Sequence, residues 1–109
     1  MVATTTATAN LHGNKRGYFT LVQKDRLHFT IIDAALYDLP FGIYSVKTFS
    51  ANEKMENELC QFRSFGNKVT HVASSSKMNV ENLLHHYIMI EKKENDGFEL
   101  CACGVIKSC

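Results

Sequence analysis

The chain has 109 residues, 45% of them apolar and 21% charged, with a single proline. That is a one-domain length with enough apolar material for a core, and it excludes disordered, collagenous and low-complexity classes. Twelve Lys and Arg against eleven Asp and Glu leave a net charge of +1, so a nucleic-acid or anionic-membrane partner would have to be held by a local patch.

Residues 1–14 are rich in Thr and Ala, with little bulk to offset the entropy of ordering them. They are expected to be a flexible N-terminal tail, and residues 15–109 a single α+β domain. The first residues have neither the basic start nor the apolar run of a secretory signal, and no apolar stretch approaches the ~20 residues needed to cross a bilayer. The expectation is a cytoplasmic protein without a membrane partner.

Gly13-Asn14-Lys15-Arg16-Gly17 reads as a turn. Tyr18 to Gln23 and Leu27 to Asp33 follow as strands, joined by a tight hairpin at Lys24-Asp25. Alternation of Leu27, Phe29 and Ile31 with His28, Thr30 and Ile32 predicts an interior strand with the first set toward the core. Ala34 to Leu39 is a helical turn or loop closed by Pro40. Phe41 to Phe49, rich in aromatic and β-branched residues, predicts a third strand.

Ser50-Ala51-Asn52-Glu53 has the capping-box pattern, and Met55, Leu59 and Phe62 fall at i, i+4 and i+7, so a helix is predicted from there to about Phe65, with Gly66 as its stop. Lys68 to Ala73 is a short strand. Asn79 is placed to cap a second helix carrying Val80, Leu83 and Leu84 and running to about His86. Tyr87 to Lys93 and Phe98 to Ile106 are then strands joined at Asp96-Gly97, a strong hairpin signal. The sum is an α+β, two-layer sandwich: a mostly antiparallel sheet of about five to six strands with two helices on one face. Leu27, Phe29, Ile31, Leu59, Phe62, Leu83 and Leu84 are the expected core.

Of the four cysteines, Cys101, Cys103 and Cys109 lie in the last nine residues. Two-residue spacing on a strand would put Cys101 and Cys103 on one face, where Cys109 and His85 or His86 could complete a zinc set. No Cys-x₂-Cys knuckle accompanies them, and the leading expectation is reduced thiols, with no metal or cofactor. His85 and His86, about 100° apart on a helix, cannot chelate as an i, i+4 pair, and Glu81 is the only local carboxylate for a general base. No mechanism-bearing motif stands elsewhere, so no catalytic residue is assigned and the chain is read as a non-enzyme.

The first functional expectation is a non-catalytic protein-protein interaction or assembly module, its partner another protein or, as a homodimer, a second copy, acting through a sheet edge or an apolar sheet face. Tyr87, Ile88, Met89, Ile90, Val105 and Ile106 are its candidate contacts, because they demand burial on both sides of a hairpin. The second is a nucleic-acid binder using Lys15, Arg16, Tyr18, Lys24, Arg26, Arg63, Lys68 and Lys77, a basic set interleaved with an aromatic. The third is a small enzyme with a site assembled from distant residues.

Overall fold

The computed structural model describes residues 4–24, 29–50 and 55–109, with side chains over 5–23, 29–50 and 57–109. The chain runs β1 (Thr4–Gly13), β2 (Arg16–Lys24), β3 (Thr30–Tyr37), β4 (Gly42–Ser50), β5 (Met55–Ser64), β6 (Val69–Ser76), α1 (Val80–Leu83), β7 (Tyr87–Glu94), β8 (Gly97–Val105) and β9 (Lys107–Ser108). Every pairing is antiparallel. The strands lie in the order β5-β4-β7-β8-β1-β2-β3-β6, with β9 beside β1, and this sheet curls into a nearly closed barrel.

The two end strands meet through side chains instead of a backbone ladder. Ser64 and Thr70 hydroxyls stand 3.3 Å apart, and the Cys60 thiol hydrogen-bonds Ser74. Opposite that seam, β1 carries the closure. It pairs with β2 along most of its length, with β9 at Ala7 and Thr8, and with β8 at His12 and Gly13. A Cβ on Gly104 would run into the Asn10 carbonyl oxygen, so the close crossing of β8 over β1 requires glycine there.

Period-two alternation explains the core. Ala7, Ala9 and Leu11 of β1, Phe19 and Leu21 of β2, Ile32, Ala34 and Leu36 of β3, and Ile88 and Ile90 of β7 all point inward and are buried. Tyr44 of β4 stacks on Phe62 of β5 at 5.4 Å and donates its hydroxyl to the Pro40 carbonyl at 2.7 Å. Leu39, in the β3–β4 connection, joins the core at one end of the barrel, and Val80 and Leu83 of α1 join it at the other. The Gln23 side chain holds α1 in place, accepting from the Val80 amide at 3.0 Å and donating to Asn79 Oδ1 at 2.7 Å.

These findings correct the expected fold class. The protein is a mostly β barrel, not an α+β sandwich of two helices on a five- to six-stranded sheet. The segment read as the first helix is strand β5 from Met55 onward, while Ala51 to Glu53 of the capping box lie outside the described residues. The cause is a bulge: β5 pairs Cys60 with Val46 but Glu58 with Lys47, leaving Leu59 as the extra residue. Leu59 is therefore buried along with the strand's own inward set, and its three-residue spacing from Phe62 imitates a helical stripe. The second helix shrinks to four residues, ended before His85, whose φ is +69°.

The N-terminal segment read as a tail is strand β1 over Thr4–Gly13. Its alanines are small, but the ladder to β2 and their inward alternation supply what bulk does not. In β3 the inward set is Thr30, Ile32, Ala34 and Leu36, the opposite of the expected face: Ile31 is half-buried and Phe29 is exposed. The strand continues to Tyr37, and its longer alternating series decides the register. Leu59 and Leu83 are core residues as expected, Phe62 and Leu84 pack against the core from its margin, and Leu27 and the Lys24-Asp25 turn fall at or within the undescribed residues 25–28.

Candidate partner-binding surface

The side chains that leave the core define two outer faces. On β7, Ile88 and Ile90 point inward, so Tyr87, Met89 and Glu91 point out. Across the ladders Tyr87 faces Val105 and Phe49, Met89 faces Cys103 and Lys47, and Glu91 faces Leu100 and Ser45. A bulge between Ile90 and Glu91 keeps both Leu100 and Cys103 on this outer face while Cys101 turns into the core. Tyr87, Phe98 and Leu100 are 44%, 47% and 48% exposed, and Phe49, Met89, Cys103 and Val105 are half-buried.

One ion pair sits inside this apolar field. Lys47 Nζ lies 2.9 Å from Glu91 Oε1, with the side chains only 15% and 17% exposed, and the same ammonium stands 4.0 Å above the Phe98 ring centre. Beside it Ser45 Oγ donates to Glu58 Oε2 at 2.9 Å, and Gln61 Nε2 donates to the same oxygen at 3.3 Å. The Glu58 carboxylate is thus held by hydrogen bonds of the same face, and Glu91 by its ion pair with Lys47, which adds no net charge although Glu91 Oε1 accepts no hydrogen bond from a described residue.

Of the six residues expected to contact a partner, the structure brings Tyr87, Met89 and Val105 together on this outer face. Ile88, Ile90 and Ile106 are 0–1% exposed and belong to the core. Hydrophobicity alone does not separate the two sides of a strand when both are apolar. Phe98, Leu100, Phe49 and the Lys47–Glu91 pair were missed; the signal for Phe98 and Leu100 was their two-residue spacing just after the Asp96-Gly97 turn.

Of the basic set, Lys15, Arg16, Tyr18, Arg63 and Lys68 gather toward the end of the barrel that carries the β1–β2 turn and the β5–β6 connection. Lys77 follows β6 at the other end, Arg26 lies outside the described residues, and of Lys24 only the backbone is described. A cleft of about 930 Å³ runs from Asn10 to Tyr18 and is also lined by Tyr37 and Asp38.

The thiols do not converge. Cys101 is buried, Cys103 half-buried on the opposite side of its strand, and Cys109 exposed, all unpaired. Burial pushes the Cys101 and Cys60 thiols up from their ordinary range, in Cys60 against a lowering hydrogen bond from Ser74, so neither is poised as a thiolate. Among the described residues no group of three or more His, Cys, Asp and Glu could hold a metal ion. His85 is exposed, and His86 is half-buried with its Nδ1 lacking a hydrogen-bond partner. Among those residues, too, no helix is long and apolar enough to cross a membrane. Comparison with known protein families and with curated proteins finds no match to this chain.

Proposed function

We propose that the protein is a non-catalytic assembly module that associates with a second copy of itself through the outer face of β4, β7 and β8. The observation that carries this reading is the contiguous run of Phe49, Tyr87, Met89, Val105, Cys103, Leu100 and Phe98 on one sheet face around an internally neutralised ion pair. Exposed apolar residues that are contiguous on a small domain mark a contact surface more often than scattered ones do. In a two-fold contact the patch meets its own copy, so a net charge would repel itself. Lys47 and Glu91 cancel within the face, and Glu58, opposite Lys47, and Lys93, opposite Phe98, carry one charge of each sign beside it, so these four groups leave the face without a net charge. Strand addition has less support, because β5 and β6, the ends of the sheet, are turned toward each other.

Sedimentation equilibrium at up to about 100 μM would detect contacts stronger than about −5.5 kcal/mol, and the parent is expected to dimerise in that range. Tyr87→Lys and Val105→Lys, which put a cation into each copy of the patch, should give monomers with unchanged far-UV circular dichroism. A monomeric parent, or folded variants that associate as the parent does, would overturn the reading.

A further inference from the structure

The other outer face, that of β2, β3 and β6, has different chemistry. Tyr18, Ala35 and His71 stand opposite one another on three successive strands, so the Tyr18 and His71 backbones are about 9–10 Å apart with only the methyl group of Ala35 on the strand between them. Tyr18 and His71 are both exposed, and Ala73 extends the small-residue floor beside a cleft of about 310 Å³. Tyr37, diagonal to Tyr18 in the register and roughly 7 to 8 Å away, adds a second exposed ring, the two being 42% and 44% exposed. Tyr18 also lines the larger cleft of about 930 Å³, so the two hollows adjoin at its ring, and together they are termed the track.

The charged groups along this track are few. Lys15 and Arg16 line its larger end, neither in an ion pair with a described residue, and Lys68 is next to Val69, which pairs with Tyr37. Asp38 and Asp33 are the carboxylates of the two hollows. Two aromatic platforms, a slot over alanine and, at one end, two cations outside any ion pair among the described residues match the chemistry that single-stranded nucleic acid requires: rings for bases to stack on, and cations to follow the phosphates. The cleft is too shallow in charge to grip a duplex backbone, where affinity depends on many phosphate contacts.

We propose that this track binds a short stretch of single-stranded nucleic acid, with bases on Tyr37 and in the Tyr18–His71 slot and phosphates beside Arg16 and Lys15. The site lies across β1 from the apolar face and does not depend on self-association. Fluorescence anisotropy with labelled oligothymidylate and oligouridylate of about 12 nucleotides tests it. The parent should bind at least one of them saturably, with a log-log salt slope of about −1.4 to −2.1, as two or three neutralised phosphates give for a single strand. Tyr18→Ala and Tyr37→Ala should each weaken binding roughly tenfold, and Arg16→Ala should flatten the salt slope, all with unchanged circular dichroism. Absence of saturable binding at low salt, equal binding by the double tyrosine variant, or equally strong competition by a duplex of the same length would each overturn the proposal.

Discussion

The outer face of β4, β7 and β8 and the outer face of β2, β3 and β6 are laid over one core, yet they share almost no chemistry. The first is apolar around a half-sheltered ion pair. The second alternates small residues with exposed aromatic rings, beside Lys15 and Arg16, which form no ion pair among the described residues, and the carboxylates Asp33 and Asp38. In a nearly closed antiparallel barrel the inward half of every strand is committed to packing, and both halves of the barrel must satisfy the same core. The outward half carries no such constraint, and that is where surface chemistry can diverge.

The largest effects should therefore be alike on both sides of the barrel. Ile32→Ala in β3 and Ile90→Ala in β7 remove fully buried side chains of comparable size, and each should cost about 2 to 5 kcal/mol through transfer and cavity terms. Urea denaturation reads this directly. A loss confined to one of the two would mean that the halves do not share a single core.

The next effect distinguishes the interiors by pH. Burial, reinforced by the nearby Cys101, Glu94 and Glu99, holds the Tyr44 hydroxyl protonated, with its pKa pushed up from 10.0 to about 12. The unfolded chain releases that proton first, so stability present below about pH 10 should be lost as pH rises toward 12, by roughly 2 to 3 kcal/mol at most. The raised Cys60 and Cys101 thiols act in the same direction. Thermal unfolding at pH 8, 10 and 11 should show the decline. Tyr44→Phe, although less stable at neutral pH through loss of the bond to Pro40, should show a shallower one; an equally steep profile would assign the alkaline loss to other groups.

The smallest effects separate the outer faces. Lys47→Ala strands the Glu91 carboxylate on a face where its side chain is only 17% exposed, and should cost about 1 to 2 kcal/mol. Arg16→Ala, at an exposed cation without an ion pair among the described residues, should stay within about 0.5 kcal/mol. Equal costs in denaturant titrations would erase the contrast between a sheltered and a solvated face.

Much of the strand content was legible in the chain. Arg16 to Lys24, Gly42 to Ser50, Val69 to Ser76 and Tyr87 to Val105 with its Gly97 turn were all visible within a few residues as β-rich runs, because β-branched and aromatic residues with turn signals report local geometry. The β1 strand was not, since its inward residues are mostly alanines. The β5 strand was misread because one bulged residue, Leu59, changes the phase of the alternation. The candidate surfaces were half legible for a related reason: Tyr87, Met89 and Val105 could not be told from Ile88, Ile90 and Ile106 before the ladder showed which set faced inward.

What the sequence by itself determined is the inventory: apolar strand segments, turns at Gly13 and Gly97, and a nearly balanced charge. Tertiary structure decided the partners. Which strand lies beside which, that β1 joins both halves of the barrel, and that Lys47 meets Glu91 and Phe98 are consequences of long-range pairing. A strand exposes unsatisfied backbone groups on both edges and does not encode in its own residues which neighbour will satisfy them. That choice is made when all the strands close on one core at once, and the outer faces are set by the same event.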